Sequence, residues 1–308
     1  MTNLFAPFPY FGGKRDIVAS VWARLGEPRQ YIEPFCGSAA MLLAKPGEPA
    51  ALEVVCDANG FIANFWRAVK HQPGKVAEWA DYPVSHIDMG ARHGALMAAR
   101  EMLSGHLHDP DWPGDAKIAG WWLWGQCSWI GGGWCEWDRK DNGHKNKIPH
   151  VSDAGQGLMT SAGRTAWEWL HRLADRLERV RIVHGDWSRC LNHHFGAAET
   201  AVFLDPPYLR VGTMYGTNNA TSIATEVCDW ARENADLRIA LCGHAGDYAL
   251  PGWETEQWSR LRLTYGSDKT KDDECVWYSP GCLPARETAR QLNLFDDDRC
   301  PGSFAATG

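Results

Sequence analysis

The chain has 308 residues, of which 44% are hydrophobic and 22% are charged, so it can bury the core of one large α/β domain with a smaller insertion. Its formal net charge of -7 argues against a protein that coats nucleic acid indiscriminately, but it is compatible with a local basic groove. No apolar run is long enough to span a membrane, and the N-terminus lacks the basic and apolar regions of a signal peptide.

The ten cysteines form no C-x-x-C pair, and no Cys/His cluster has the spacing of zinc ligands. Unpaired thiols are typical of reducing compartments. The sequence therefore predicts a cytoplasmic protein without a metal site.

Hydrophobic periodicity predicts helices that alternate with strands. The predicted helices are Ile17–Leu25, Ile62–Lys70, Arg92–Leu103, Ile118–Trp129, Ala166–Leu177 and Thr225–Asn234. The predicted strands are Tyr31–Pro34, Val54–Asp57, Val180–His184, Val202–Asp205 and Leu237–Cys242, with Leu261–Tyr265 and Cys275–Tyr278 as a terminal antiparallel pair. This alternation predicts an α/β fold with a doubly wound, mostly parallel sheet, in which residues at the carboxyl ends of the strands meet at one edge.

The first predicted strand leads into a turn of small residues that ends at Ala40. Gly37 and Ser38 allow a ligand to approach the backbone closely, and the helix that follows offers unpaired N–H groups. The second predicted strand ends at Asp57, about twenty positions after the glycine, a spacing that suits hydrogen bonds to a ribose. The turn lacks the full G-x-G-x-x-G pattern, so other motifs must specify the cofactor.

The most informative motif, Asp205-Pro206-Pro207-Tyr208, directly follows an apolar run of four residues. Its two prolines stiffen the turn and remove two backbone donors, which leaves the Asp205 carboxylate and the Pro206 carbonyl as acceptors. Such acceptors suit a planar amino group, and the Tyr208 ring can lie against the flat system that carries this group. The alternative is a turn at the end of a strand in which Asp205 caps a helix.

The middle of the chain combines tryptophans with a basic loop. Six of the 17 tryptophans lie between positions 121 and 137, and residues 139–150 contain four Lys/Arg against one acid. Most of these indoles are expected to pack in a core, but those beyond the triple glycine 131–133 adjoin the basic loop, as on nucleic-acid surfaces. The predicted DNA-binding residues are Trp134, Trp137, Arg139, Lys140, Lys145 and Lys147, and the alternative is a solvated surface loop.

Four motifs resemble, in the same order, those of the Dam-type DNA N6-adenine methyltransferases, which use S-adenosylmethionine. They are Pro9-Tyr10-Phe11-Gly12-Gly13-Lys14, Glu33-Pro34-Phe35-Cys36-Gly37-Ser38, Asp57-Ala58-Asn59 and Asp205-Pro206-Pro207-Tyr208. A looser match is His184-Gly185-Asp186-Trp187. The resemblance covers about residues 1–70 and 180–280, and it departs from the family at Cys36-Gly37-Ser38-Ala39, where many members carry a second glycine.

The resemblance implies a Rossmann-like methyltransferase fold with an inserted, mainly helical DNA-recognition region. The cofactor-binding residues that it implies are Tyr10, Gly12, Gly13, Lys14, Glu33, Pro34, Phe35, Gly37, Ser38, Asp57, Asp186 and Trp187. Tyr10 and Lys14 would line the methionine end of the cofactor, with Asp57 at its ribose and Asp186 near its adenine.

The implied catalytic residues are Asp205, Pro206, Pro207 and Tyr208. A target adenine would leave the double-stranded DNA, stack on Tyr208 and donate its N6 hydrogens to Asp205 and to the Pro206 carbonyl. It would then accept the methyl group directly, without a covalent enzyme intermediate.

Other amines also fit an Asp-Pro-Pro-Tyr corner. The N4 amine of cytosine is the nearest alternative, a glutamine amide is a third candidate, and a non-catalytic DNA-binding module is a further alternative. The order of the motifs and the opening motif at residues 9–14 favour adenine. Restriction and modification, phage protection and orphan regulation are all compatible with this activity.

The predicted catalytic domain comprises residues 1–75 and 165–285, the target-recognition insertion residues 76–164, and a flexible tail residues 286–308. The tail contains Gln291-Leu292-Asn293-Leu294-Phe295, which resembles the peptide by which bacterial proteins bind the DNA polymerase sliding clamp. Gln291, Leu292, Leu294 and Phe295 would then enter an apolar groove. The alternative is the end of a terminal helix packed on the core.

Overall fold

A computed structural model describes residues 4–8, 14–129, 134–135, 165–208, 220–260 and 272–285. Its α-helices are α1 (Val18–Leu25), α2 (Ala40–Leu43), α3 (Gly60–His71), α4 (Pro73–Ala80), α5 (His86–His106), α6 (Ala116–Ser128), α7 (Ala166–Leu177) and α8 (Ala220–Glu233). Its strands are β1 (Gln30–Glu33), β2 (Leu52–Asp57), β3 (Val180–His184), β4 (Thr200–Leu204), β5 (Arg238–His244), β6 (Glu254–Arg260) and β7 (Asp272–Tyr278).

Every predicted helix and each of the first five predicted strands overlaps an observed element, and α7 has the predicted bounds. The terminal antiparallel pair is formed by β6 and β7, whereas Leu261–Tyr265, predicted as its first strand, lies outside the described residues. The helix expected directly after the glycine turn is α2, whereas the sequence pattern did not indicate α4. Helix α4 begins with Pro73-Gly74, residues that often mark a break, although proline is also favoured at the first position of a helix.

The described strands form one sheet with the order β3-β2-β1-β4-β5-β7-β6. Strands β1 to β5 pair in parallel, and β7 runs antiparallel to both of its neighbours. The chain therefore winds outward from β1 in one direction and from β4 in the other. This arrangement confirms the predicted doubly wound, mostly parallel sheet.

Alternate residues of the strands face two separate apolar cores, as the period of a strand requires. Tyr31 and Phe203 face the core that contains residues from α1 to α7, whereas Ile32 and Val202 face the core that contains α8 and the short helix Trp187–Cys190. Helical segments thus cover both faces of the sheet. The carboxyl edge of the parallel strands is the part of the sheet that lies open to a ligand.

Helices α4, α5 and α6 pack beside α3 and α7 on one face of the sheet. Gly120 of α6 lies so close to Val76 and Trp79 that a Cβ atom would collide with them, which explains a glycine inside this helix. Arg176 of α7 joins this layer to β2, because its guanidinium donates to the two Glu53 carboxylate oxygens over 2.6 and 2.8 Å. Within the described ranges, no helix has the length and apolarity that a membrane span requires.

Candidate active site

The candidate site lies where the connections from two neighbouring strands leave toward opposite faces of the sheet. Strand β1 is followed by α2, which belongs to the first core, and β4 is followed in the described chain by α8, which belongs to the second. Such a divergence opens a crevice at the carboxyl ends of the two strands. The glycine turn after β1 and the Asp205 corner after β4 therefore lie on the two sides of one crevice.

The glycine turn is held by backbone hydrogen bonds to one carboxylate. Gly37, with φ +44°, donates its N–H to Asp57 Oδ2 over 2.9 Å, and the Asn59 N–H donates to Asp57 Oδ1 over 2.8 Å. The Trp66 indole donates to the Gly37 carbonyl over 2.9 Å. Burial raises the pKa of Asp57 to about 6, although the two backbone donors act in the opposite direction. Asp57 thus fixes the shape of the turn from the end of β2.

Aromatic rings lie next to this turn. Phe35, which is half-buried, stacks on Trp187 with ring centroids 6.1 Å apart and planes inclined by 23°. The neighbouring Asp186 is exposed, and its Oδ1 accepts from both the backbone N–H and the hydroxyl of Ser188. The Asp186 carboxylate therefore caps the short helix that carries Trp187. Phe35 presents a flat apolar surface beside the glycine turn.

Two of the residues predicted to bind the cofactor, Glu33 and Pro34, are buried below the turn. Glu33 Oε2 accepts from the Tyr31 hydroxyl over 3.0 Å and from the Leu42 N–H over 3.1 Å. Burial raises the pKa of Glu33 to about 8, and the nearby Asp205 and Glu53 charges add to this shift. Glu33 therefore connects β1 to α2 from inside the protein.

The corner after β4 carries side-chain charges. Asp205 is 22% exposed and its Oδ2 lies 2.9 Å from the Lys14 ammonium. The same ammonium lies 3.8 Å from Glu274 Oε2 of β7 and 5.3 Å from the centre of the Tyr208 ring. The Tyr208 hydroxyl donates to Glu274 Oε2 over 3.3 Å, and its ring meets the His244 ring edge to face. Lys14, Asp205, Tyr208 and Glu274 form what we call the acid corner.

The opposite charges of the acid corner stabilise one another. Burial lowers the pKa of Lys14, but the negative charges of Asp205 and Glu274 outweigh it, so the pKa is above its ordinary value. Burial and the Asp205 charge also raise the pKa of the Tyr208 hydroxyl. At neutral pH the corner therefore contains an ammonium and a neutral phenol.

The structure describes three groups of contacting residues that the sequence predicted for the site. They are Gly37 and Asp57 at the turn, the stacked rings of Phe35 and Trp187, and Lys14, Asp205 and Tyr208 of the acid corner. Outside the described residues lie the predicted site residues Tyr10, Gly12, Gly13, Trp137, Arg139, Lys140, Lys145 and Lys147 and the tail residues Gln291, Leu292, Leu294 and Phe295.

Trp134 requires a correction. It was predicted to contact DNA, but only 6% of its surface is exposed, and its indole donates to the Trp122 carbonyl over 3.1 Å. Its ring fills the space beside Gly125, where a Cβ atom has no room. The described part of the tryptophan cluster, in which Trp122 and Trp124 are also buried, therefore matches the core-packing alternative.

Sequence reasoning did not identify Glu274 or His244. They occupy paired positions on β7 and β5, so the sheet places both beside Tyr208. The available signal was an acid at the start of the apolar run 275–278, which also fits an exposed strand end. Among the described residues, no cluster of His, Cys, Asp and Glu could hold a metal ion.

The seven-stranded, mostly parallel sheet has a Rossmann-like methyltransferase fold, and the glycine turn and the Asp-Pro-Pro-Tyr corner follow the two strands whose connections diverge. The family model described as D12 class N6 adenine-specific DNA methyltransferase matches residues 10–85, which include the glycine turn and Asp57. The chain is similar to this family over these residues, and the match supports the activity of a DNA adenine methyltransferase. The family implies S-adenosylmethionine as the methyl donor and DNA as the substrate. No curated protein matches the chain.

Proposed function

We propose that the crevice between β1 and β4 binds S-adenosylmethionine beside the glycine turn and a flipped adenine of double-stranded DNA at the acid corner. The observation that carries this proposal is the placement of Asp205. Its carboxylate is partly exposed, it is held by the buried Lys14, and it follows β4, which pairs in parallel with the strand that precedes the Gly37 turn. A carboxylate in that position can accept a hydrogen bond from an amino group that enters the crevice.

The residues of the turn suit this cofactor. Asp57 uses one lone pair of each oxygen for backbone donors and keeps others for ribose hydroxyls. Phe35 offers its ring to an adenine, with Trp187 behind it. Gly37 and Ser38 allow the cofactor to approach the backbone closely. The buried Glu33 and Pro34 support the turn, and Asp186 orients Trp187. When bound, S-adenosylmethionine supplies an electrophilic methyl group on a positively charged sulfur.

We assign the rest of the opening motif by the family resemblance. Tyr10, Gly12 and Gly13 would bind the cofactor, with Tyr10 at its methionine end.

The acid corner would orient the target amine. The Asp205 carboxylate and the Pro206 carbonyl accept the two N6 hydrogens, and Tyr208 provides a face for the base. As N6 forms its bond to the methyl carbon, the bond between this carbon and sulfur would break, and its electron pair would remain on sulfur in S-adenosylhomocysteine. Positive charge develops on N6, and the Asp205 carboxylate stabilises it. The surplus N6 proton then passes to the Asp205 carboxylate and on to solvent, which the partial exposure of Asp205 permits.

The decisive experiment is Asp205→Ala. We expect methylation of DNA to fall by at least about a thousandfold, because orientation and charge stabilisation are both lost, while S-adenosylmethionine affinity changes by less than about threefold. Asp229→Ala on the exposed face of α8 is the matched control and should leave both unchanged. Near-normal turnover by Asp205→Ala would refute the assignment.

Nucleoside mass spectrometry of the methylated DNA separates the two amines. We expect N6-methyladenine, and N4-methylcytosine as the sole product would replace adenine as the target.

The insertion and the tail carry two further proposals. Residues 76–164 would form the target-recognition region, with Trp137, Arg139, Lys140, Lys145 and Lys147 on the DNA, so charge-removing substitutions there should weaken binding and reduce its salt dependence. The tail segment 291–295 stays a prediction of clamp binding. A pull-down in which Leu294→Ala with Phe295→Ala leaves clamp retention unchanged would remove it.

A further inference from the structure

Glu274 is a buried acid that belongs to none of the recognised motifs. Its side chain is 5% exposed, and β7 places it opposite His244 of β5, at the open end of the parallel strands. Its Oε2 accepts from the Tyr208 hydroxyl over 3.3 Å and lies 3.8 Å from the Lys14 ammonium. An ionised carboxylate at such a depth requires partners, and Lys14 and Tyr208 supply them.

The acid corner contains one cation for two carboxylates. Lys14 is shared between Asp205, which is partly exposed to the crevice, and Glu274, which is sealed from it. The three side chains together carry a net charge of -1 when all are ionised. The charge that remains uncompensated can reside on Asp205, the carboxylate that a substrate can reach.

We infer that Glu274 is a positioning residue for methyl transfer: it shares the Lys14 ammonium with Asp205 and holds the Tyr208 hydroxyl, so that Asp205 keeps its acceptor capacity for the target amine. This inference rests on the proposed role of Asp205. Without Glu274, Lys14 and Asp205 would form a neutral pair. The positive charge that develops on the amine would then meet a carboxylate already compensated by an ammonium.

The distances make this sharing feasible. Lys14 is 2.9 Å from Asp205 and 3.8 Å from Glu274, so a shift of about 1 Å brings the ammonium within ordinary ion-pair distance of Glu274. A four-carbon side chain accommodates such a shift by small torsional changes. The arrival of an amine at Asp205 can therefore be accompanied by movement of Lys14 toward Glu274.

The experiment uses the full chain with Glu274→Gln, which removes the charge but keeps an acceptor for the Tyr208 hydroxyl. We expect the single-turnover methylation rate at saturating cofactor and DNA to fall roughly ten- to a hundredfold. Cofactor affinity and the KM for DNA should change by less than about threefold, because the lost interaction acts mainly in the transition state. Glu256→Gln is the matched control, since Glu256 of β6 accepts from the Tyr278 hydroxyl over 2.8 Å away from Lys14. It should leave the rate unchanged.

A second variant separates the two contacts of Glu274. In a Tyr208→Phe background the hydroxyl is absent, and we expect Glu274→Gln still to lower the rate by a similar factor. If it has no further effect there, Glu274 acts only through the hydroxyl and charge sharing is overturned. If Glu274→Gln does not fold, Glu274→Asp and Glu274→Ala decide: Asp keeps the charge and should be several times faster, whereas equal rates overturn the inference.

Failure of this inference is distinguishable from failure of the proposed function. A rate within about twofold of wild type for Glu274→Gln, with Asp205→Ala inactive, would overturn the role of Glu274 and leave Asp205 in place. Activity in Asp205→Ala would instead remove the proposal on which the inference rests.

Discussion

The two sides of the crevice are held by different interactions. On the glycine-turn side, the Asp57 carboxylate accepts hydrogen bonds from backbone N–H groups and thereby fixes the conformation of Gly37. On the acid-corner side, Lys14, Asp205 and Glu274 bind one another through side-chain charges. The first side should therefore be sensitive to changes in backbone shape and the second to changes in charge. This difference fits the proposed roles, in which the turn follows the outline of the cofactor and the corner stabilises a developing positive charge.

The Asp205 and Glu274 substitutions are expected to have the largest effects, and these effects are on the methylation rate. The next largest effect is expected from Asp57→Ala on the glycine-turn side, and it is a loss of cofactor affinity. This change leaves the Gly37 and Asn59 N–H groups without their acceptor, and each such loss costs about 1–3 kcal/mol when the group is buried. We expect S-adenosylmethionine affinity, measured by calorimetry, to fall at least tenfold. The single-turnover rate at saturating cofactor should change by less than about threefold, because the acid corner is intact.

Asp57→Asn provides the comparison for that change. Its amide oxygen keeps one acceptor, so the loss of affinity should be intermediate. A large loss of rate in either variant at saturating cofactor would contradict the separation of the two sides.

The next effect concerns stability and pH at Glu33. Its folded-state pKa of about 8 lies above the ordinary 4.5, so the folded protein holds a proton that the unfolded chain has released. Stability must therefore fall as pH rises from about 4.5 to 8. For this group, the free energy of unfolding should decrease by about 2 kcal/mol between pH 6 and pH 8.

Denaturant unfolding of wild type and Glu33→Gln at both pH values tests this expectation. Gln has no proton to lose and can still accept from Tyr31 and Leu42, so the variant should lack this part of the pH dependence. Parallel pH profiles for the two proteins would contradict it.

The smallest effect is expected from Ala39→Gly. Ala39 has φ +49°, a conformation that a Cβ atom disfavours by roughly 1–2 kcal/mol. Glycine removes this strain but gives the unfolded chain more freedom, so a net stabilisation below about 1 kcal/mol is expected in the free energy of unfolding. Ala40→Gly, at the start of α2, is the comparison and should destabilise, since it lies at a helical position without that strain. If both substitutions change the free energy of unfolding in the same direction, the result would argue against strain at Ala39.

Residues with rigid local chemistry were identifiable from the sequence. Proline pairs and glycine turns restrict the backbone whatever surrounds them, so Asp205-Pro206-Pro207-Tyr208 and the Gly37 turn could be recognised as ends of strands. The amphipathic period of Ala166–Leu177 determined a helix with its observed bounds, and in the structure the Thr165 side chain caps its start. Alternation of helices and strands then determined the doubly wound class.

Tertiary structure alone decided which distant residues complete the site. Glu274 reaches Lys14 only because β7 pairs antiparallel with β5, and nothing in the local sequence encodes that register. Trp134 is buried because it packs against Gly125 and Trp122, although its neighbours in sequence suggested a nucleic-acid surface. The sequence by itself therefore determined the stiff turns and the order of the elements, which depend on short-range sterics. Burial and ion pairing depend on contacts between remote segments, and only the folded sheet settles them.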